Sequence, residues 1–176
     1  MIGEQRMRVE LPAVLSLGSN LGDRETTIRD AVAEIAAIPG VTITAASSIV
    51  ETAALKQQGV DTDAPAYLNA VVIVRTTLAP ERLLEAVGAI ERAHGRVRDE
   101  RWGDRTLDID IVACGGLRYV SETLTLPHPR AAERAFVLAP WFEIDPNADL
   151  PGYGRVADLL AVAHDVVRPF AAEALR

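Results

Sequence analysis

The chain has 176 residues, 49% apolar and 24% charged, which is typical of one globular domain with a buried core. No apolar run approaches the roughly 18 residues of a membrane helix, and the charged N-terminus lacks an apolar signal core, so we expect neither a membrane protein nor a secreted one. The net charge of −7 disfavours broad nucleic-acid binding, and the single cysteine, Cys114, excludes an internal disulfide and fits the cytoplasm.

The spacing of apolar residues predicts the order strand, helix, strand, strand, helix, strand, followed by two further helices. The expected strands cover residues 13–17, 41–51, 67–76 and 106–113, and the expected helices cover about 23–38, 80–95, 131–144 and 156–163. The first six elements have the order of the ferredoxin-like βαββαβ fold, an α+β architecture with a mainly antiparallel sheet packed with helices. In this single domain, 1–176, the last helices are C-terminal additions, and residues 1–11 and 165–176 are expected to be a loose extension and a loose tail.

Two connections in this order are candidates for a functional role. The turn at residues 18–24, G-S-N-L-G-D-R, is explained as a simple strand–helix connection. The alternative is a phosphate cradle, in which Ser19 and Asn20 would line a site. Residues 53–65 contain turn formers without periodicity, and a loop of this length in a compact domain is more often functional than idle, so it is a candidate lid.

Two polar side chains stand out along the chain. Asn69 lies within the third strand, where asparagine is unfavourable. It marks either a bulge or an edge position, or it is an amide that pairs with the edge of a heterocycle. His128 lies between Pro127 and Pro129 in an extended segment, which fixes its position and favours a role in a site.

The densest set of candidates lies in residues 96–110, R-V-R-D-E-R-W-G-D-R-T-L-D-I-D. Asp108 and Asp110 are two residues apart on a predicted strand, so both carboxylates leave one face, and such oxygen ligands suit Mg²⁺. On their own, these two aspartates are explained equally well by an edge strand with polar alternation. The preceding arginines suit polyphosphate because a guanidinium can bond two oxygens at once. Carboxylates and arginines together favour phosphoryl chemistry on a nucleotide.

The chain resembles the 6-hydroxymethyl-7,8-dihydropterin pyrophosphokinases of folate synthesis. The matching segments are L-S-L-G-S-N-L-G-D-R, Y-L-N-A-V, G-R-V-R, R-W-G-D-R-T-L-D-I-D-I, L-T-L-P-H-P-R and R-A-F-V-L. They follow the order and spacing of the family and cover most of residues 14–145. The run R-W-G-x-R-T-L-D-I-D is far more specific than a lone D-x-D pair.

The resemblance implies an α+β, ferredoxin-like fold and a transferase that moves the β,γ-pyrophosphoryl group of ATP to the hydroxymethyl group of the dihydropterin, releasing AMP. ATP is then a substrate, two Mg²⁺ ions are the cofactors, and neither nucleic acid nor a membrane is a partner; we also expect a monomer. The implied catalytic residues are Arg96, Arg105, Asp108 and Asp110, the last two of which bind the metal ions. The implied pterin-binding residues are Thr52, Leu55, Tyr67, Asn69, Trp102 and Phe136, of which Tyr67 and Phe136 stack on the pterin. The residues implied around ATP are Arg98, Arg101, Thr125, His128 and Arg134.

Two other functions would each require features that can be looked for in the sequence. An RNA-binding ferredoxin-like module would need an aromatic strand signature and a basic face, and neither is present. A nucleotidyltransferase palm would need a third carboxylate and a nucleic-acid groove, which the negative net charge disfavours. No side chain stands out as a dedicated general base; Asp110 is the candidate if the metal alone does not activate the hydroxyl.

Overall fold

The computed structural model of the chain describes residues 6–56, 59–61, 63–95 and 106–176. The strands are β1 (Arg6–Ser19), β2 (Val41–Ala46), β3 (Val50–Thr52), β4 (Ala54–Lys56), β5 (Gly59–Asp61), β6 (Tyr67–Leu78), β7 (Asp108–Cys114), β8 (Tyr119–Val120), β9 (Thr125–Leu126), β10 (Asp149–Leu150), β11 (Gly154–Arg155) and β12 (Arg168–Pro169). The helices are α1 (Arg24–Ala36), α2 (Pro80–Ala93), α3 (Ala135–Ile144) and α4 (Val156–Val162), and a short 3₁₀ helix covers Ala131–Glu133.

The main sheet is antiparallel, with the strand order β12-β3-β6-β1-β7 and with β2 also paired to β6. The two longest strands, β1 and β6, lie side by side in its interior. The middle parts of both strands, 11–17 and 68–74, are nearly continuous apolar runs, as expected where both faces are covered. The expectation of a mixed α/β protein with an antiparallel sheet and helices is therefore confirmed.

Two apolar cores lie on opposite faces of this sheet. The larger core packs α1 and α2 against alternating residues of β1, β6 and β7, among them Leu15, Leu17, Val72 and Ile109. The smaller core packs α3 and α4 against the other face and includes Val14, Val71, Val112, Leu138, Trp141 and Val156. Because neighbouring residues of a strand point to opposite faces, the second face also receives the polar candidates of β6 and β7.

The two long helices that cover the first face begin and end at residues with recognisable capping chemistry. The Asp23 carboxylate accepts a hydrogen bond from the Thr26 N–H at 3.1 Å and caps α1. Pro80 is the first residue of α2, where its missing N–H removes no helical bond. Gly95 follows that helix with a φ of 78°, a left-handed conformation that glycine adopts without strain. These boundaries agree with the sequence-based prediction.

The N-terminal strand starts earlier than predicted, since residues 6–11 belong to β1 instead of a loose extension. Leu11 lies opposite Thr76 on β6, and the Arg75 Nε donates to the Glu10 carboxylate at 2.8 Å. Its sequence, R-M-R-V-E-L, alternates charged and apolar residues, so this part of the strand carries a two-residue period of its own.

The C-terminal segment 165–176 is also ordered instead of loose. Arg168 on β12 lies opposite Glu51 on β3, and the Phe170 N–H donates to the Ile49 carbonyl at 3.2 Å. The Arg29 guanidinium donates to the carbonyls of Glu173 and Ala174 at 2.6 and 3.0 Å. These contacts tie the segment to β3 and α1, and none of them has a local sequence signature.

Three smaller differences concern element boundaries. The predicted strand 41–51 is divided into β2 and β3 at Ser47, whose N–H and Oγ both bond the backbone of Val71 at 2.9 Å. The predicted loop 53–65 contains the β4–β5 hairpin, and the predicted helix 131–144 starts as the 3₁₀ turn. No helix among the described residues is long and apolar enough to cross a membrane.

Candidate active site

Asp108 and Asp110 lie at the start of β7, which begins two residues later than the predicted strand 106–113, and on the face of the sheet that α3 covers. Both are partly exposed, whereas Ile109 between them is buried in the core of the opposite face. The N–H of Ile109 donates to the buried carboxylate of Glu91 on α2 at 2.8 Å. A strand and a helix therefore fix the backbone between the two aspartates.

A glycine separates these carboxylates from the next group of polar side chains. Gly18 on β1 lies directly opposite Asp108 on one side and Asn69 on the other. Residues that face each other across antiparallel strands share one face of the sheet, and two strand spacings amount to about 10 Å. A Cβ added at Gly18 would lie 3.1 Å from the Asn69 Oδ1 and 3.6 Å from the Tyr67 ring. The backbone of Gly18, which has no side chain, therefore lies between two chemically different halves of one surface. One half carries the carboxylates of Asp108 and Asp110, and the other carries Asn69 and Tyr67.

Asn69 is held in one orientation by its neighbour on β3. Its Nδ2 donates to the Thr52 Oγ1 at 2.9 Å, and both side chains are buried. Tyr67 lies opposite Thr52, so the ring borders the same group. Because β6 is an interior strand, the alternative that Asn69 marks a sheet edge is wrong.

The start of α3 lies beside Asp110. Phe136 lies in its first turn, and the Arg134 guanidinium stacks 5.5 Å from the centre of the Phe136 ring. The same guanidinium lies 3.9 Å from the Asp110 Oδ2, which is beyond hydrogen-bonding distance but within reach of an ion pair. Arg134 therefore links the aromatic ring to the carboxylates.

His128 is attached to β7 through a β-bulge. Val112 is an extra residue opposite β1, and its carbonyl accepts the His128 N–H at 2.8 Å. The His128 Nδ1 accepts the Arg130 N–H at 3.2 Å, which assigns the ring proton to Nε2, 3.9 Å from the Asp110 Oδ2.

The protonation state of His128 follows from its surroundings. Burial lowers the pKa of this imidazole to about 4, helped by Arg134 and Arg130 and opposed by Asp108. The ring is therefore neutral at pH 7, and its contact with Asp110 is not an ion pair. Its Nε2–H is a neutral donor that can serve an anionic oxygen.

The chemistry of this donor set fits a hard divalent cation. Two carboxylates on one face supply oxygen ligands, and among the described residues no group of three His, Cys, Asp or Glu could hold a metal. Mg²⁺ is commonly bound by one or two carboxylates while water and substrate phosphates complete its shell. Asp108 and Asp110 would thus hold Mg²⁺ together with a phosphorylated substrate.

A family model described as 7,8-dihydro-6-hydroxymethylpterin-pyrophosphokinase (HPPK) matches residues 14–146. The chain belongs to this family. The 2-amino-4-hydroxy-6-hydroxymethyldihydropteridine pyrophosphokinase of Methylorubrum extorquens is 44% identical over 80% of this chain and 86% of its own length. The enzyme of the same name from Bacillus subtilis is 46% identical over 75% of this chain and 77% of its own. The family identification made from the sequence is therefore confirmed.

Solved structures support the same fold. A chain of Plasmodium falciparum HPPK-DHPS with pterin and p-hydroxybenzoate matches with a TM-score of 0.67 at 15% identity. The match covers 91% of the present chain and 44% of the Plasmodium falciparum chain, so the present chain spans less than half the length of that one. At this identity the likeness supports the fold alone.

The structure brings some of the predicted site residues together and leaves others apart. It brings one group to a single face of the sheet: Thr52, Tyr67, Asn69, Asp108, Asp110, His128, Arg134 and Phe136. Thr125 is exposed on the short strand β9, and Leu55 lies on β4. The remaining predicted residues lie outside the described part of the chain: Arg96, Arg98, Arg101, Trp102 and Arg105.

A separate recess of about 440 Å³ lies beside the strand–helix turn. Its lining includes Asn20, Arg24 and Glu51, and no predicted catalytic side chain. Glu51 points away from the face that its neighbour Thr52 shares with Asn69. The recess is therefore a different site from the face that carries Asp108 and Asp110. Ser19, the other candidate of the turn, is fully buried.

Three residues that contact the candidate site residues or their backbone were not among the predicted ones. Gly18 had a signal, because it ends an apolar strand within a matching segment. Glu91 also had one, since it is a carboxylate on the buried stripe of α2. Asp165 had no sequence signal. Its carboxylate accepts hydrogen bonds from the N–H groups of Ala135 and Phe136 at 2.8 and 3.3 Å, although it lies about 30 residues further along the chain.

Proposed function

We propose that the face formed by β3, β6, β1, β7 and the start of α3 transfers the pyrophosphoryl group of ATP to the hydroxymethyl group of 6-hydroxymethyl-7,8-dihydropterin, a step of folate biosynthesis. The reaction would yield the pterin diphosphate and AMP. The observation that carries this proposal is the row Asn69–Gly18–Asp108 across three adjacent strands. It brings an amide suited to a heterocycle within about 10 Å of carboxylates suited to metal-bound phosphate.

In the pterin half, Tyr67 and Phe136 would stack on the two faces of the flat ring. Asn69 would read the ring edge, because Thr52 already engages its amide N–H₂ and leaves its oxygen beside Gly18. Thr52, Leu55 and Trp102 would complete this half. The absence of a side chain at Gly18 would let the ring lie close to the sheet.

In the ATP half, Asp108 and Asp110 would hold two Mg²⁺ ions, which when bound neutralise the triphosphate and lower the pKa of the attacking alcohol. The neutral Nε2–H of His128 and the Arg134 guanidinium lie next to Asp110 and would donate to phosphate oxygens. The other residues proposed around ATP are Arg98, Arg101 and Thr125.

Pyrophosphoryl transfer depends mainly on positioning and charge stabilisation. Arg96 and Arg105 would stabilise negative charge on the bridging and leaving oxygens, an effect typically worth a few kcal/mol in the transition state. Asp110 is our candidate for the base that takes the hydroxyl proton. The segment 53–65, a candidate lid from its sequence, would exclude water from the phosphates.

For the molecule as a whole, we propose the ferredoxin-like βαββαβ core with C-terminal helical additions, in one domain. The order β7-β1-β6-β2 and the two helices on one face support this topology. We further propose a monomer acting in the cytoplasm on two small-molecule substrates.

The products of the reaction test this function. We would incubate the protein with Mg-ATP and 6-hydroxymethyl-7,8-dihydropterin and separate the nucleotides by chromatography, with ATP alone as the control. AMP should form only when the pterin is present. ADP would indicate transfer of a single phosphoryl group, and release of inorganic pyrophosphate would indicate a nucleotidyltransferase. Either result, or no reaction, would contradict the proposal.

A further inference from the structure

The first turn of α3 has no capping side chain of its own. Arg134 occupies the N-cap position and makes no side-chain cap hydrogen bond. The first N–H groups of a helix need acceptors from outside it. Here both oxygens of Asp165 accept them, from Ala135 at 2.8 Å and from Phe136 at 3.3 Å. A residue from the C-terminal segment therefore fixes the start of this helix.

The residues at this helix start belong to both halves of the site. Asp165 bonds the backbone of Phe136, the residue whose ring would stack on the pterin. The Arg134 guanidinium lies over that ring and reaches toward Asp110. A rotation of the first turn would therefore move the ring.

The segment that carries Asp165 is also bonded to β3 and to the residue before it. Three and five residues after Asp165, Arg168 lies opposite Glu51 on β3 and the Phe170 N–H donates to the Ile49 carbonyl at 3.2 Å. The same strand carries Thr52, which holds Asn69. Residues 165–170 thus connect the helix that bears Phe136 to the strand that orients the Asn69 amide.

We propose that Asp165 is a positioning residue for pterin binding, which holds the Phe136 ring at a fixed distance from Asn69. It touches no substrate and acts through the backbone of Phe136. This inference rests on the proposed function, because it assumes that pterin stacks on that ring. A cap with a purely structural role would stabilise the fold without changing the affinity for pterin.

The test measures the Kd of 6-hydroxymethylpterin by calorimetry, with Mg²⁺ and a non-hydrolysable ATP analogue present. Asp165→Ala should raise the Kd about 10-fold, equivalent to about 1.4 kcal/mol. Asp23→Ala is the matched control, because it also removes a carboxylate cap, from α1, which carries no proposed site residue. Its Kd should stay within about twofold of wild type. Equal Kd values in the two variants would overturn the proposal.

A double-mutant cycle separates action through the ring from general destabilisation. In a Phe136→Ala background, adding Asp165→Ala should change the Kd by less than about twofold, since the ring is already absent. A further full 10-fold loss would overturn the proposal. If Asp165→Ala does not fold, Asp165→Asn keeps one acceptor oxygen and should give a smaller rise in Kd; an unchanged Kd in that variant would overturn it.

The wild-type protein distinguishes failure of this inference from failure of the proposed function. If it neither binds the pterin nor forms AMP, the proposed function is refuted and this inference is refuted with it. If it does both and the Asp165 variants bind pterin as wild type does, only the role of Asp165 is refuted.

Discussion

The two halves of the candidate site are built in different ways. The carboxylate half lies on one strand, β7, and its spacing is fixed by strand geometry and by Glu91 beneath it. The pterin half is assembled from β3, β6, α3 and the C-terminal segment, which are distant in the sequence. The carboxylate half should therefore tolerate changes elsewhere in the chain, whereas the pterin half should respond to changes that never touch the substrate.

The largest effect should come from the carboxylate half. Asp110→Ala should lower kcat by more than about 1,000-fold, since loss of metal-bound charge stabilisation costs several kcal/mol in the transition state. Asp110→Asn keeps the shape and should be almost as impaired. The measurement is steady-state AMP formation, with circular dichroism to show that both variants fold. Normal turnover in Asp110→Ala would remove the metal assignment.

In the pterin half, Phe136→Ala should raise the KM for pterin by about 10- to 100-fold, because stacking of a flat base on an aromatic ring is worth about 1–3 kcal/mol. The kcat at saturating pterin should change much less. Phe142→Ala is a matched control, since Phe142 lies on the same helix but is exposed. An unchanged KM in Phe136→Ala would show that the ring does not contact the pterin.

A third substitution tests whether the absence of a side chain at Gly18, between the two halves, matters for pterin binding. Gly18→Ala would place a methyl group 3.1 Å from the Asn69 Oδ1, so the amide must shift or the pterin must lie farther from the sheet. We expect about a 10-fold rise in the Kd for pterin, the cost of one displaced hydrogen bond. Gly116→Ala is the control, because no atom lies within 4 Å of a Cβ added there. Equal Kd values in both variants would contradict this account of Gly18.

The smallest effect concerns stability. The His128 pKa is lowered to about 4 in the folded protein, from an ordinary value of 6.5. The unfolded chain therefore binds an extra proton as the pH falls below 6.5, so stability is full above that pH and decreases toward 4. Urea unfolding at pH 7.5 and 5.0 should show a smaller pH-dependent loss for His128→Gln than for wild type. An equal loss would mean that His128 is not buried as a neutral ring.

The two halves also differ in how far the sequence predicted them. Asp108 and Asp110 could be placed because a two-residue period is a local signal and Ile109 marks the buried face. Tyr67 and Phe136 had no such signal, since an aromatic residue in a strand or helix is more often part of a core. The prediction that these two rings stack on the pterin came from the family resemblance alone.

The order of the main elements was predicted correctly from apolar periodicity, but the chain ends were not. Residues 6–11 do alternate charged and apolar side chains, a local strand pattern that the expected loose extension leaves out of account. The pairing of β12 with β3, by contrast, involves only two residue pairs. Such contacts arise from tertiary structure and leave no periodic signal. Asp165 could not be predicted from the sequence for this reason, because its contacts with α3 depend on where the C-terminal segment 165–176 packs.

The most direct test of the two-half account is a crystal structure of the protein with Mg²⁺, a non-hydrolysable ATP analogue and 6-hydroxymethylpterin. The account predicts metal density between Asp108, Asp110 and the phosphates, and the pterin ring between Tyr67 and Phe136 with its edge on Asn69. A pterin bound in the recess beside Asn20, Arg24 and Glu51, with no metal at the aspartates, would contradict it.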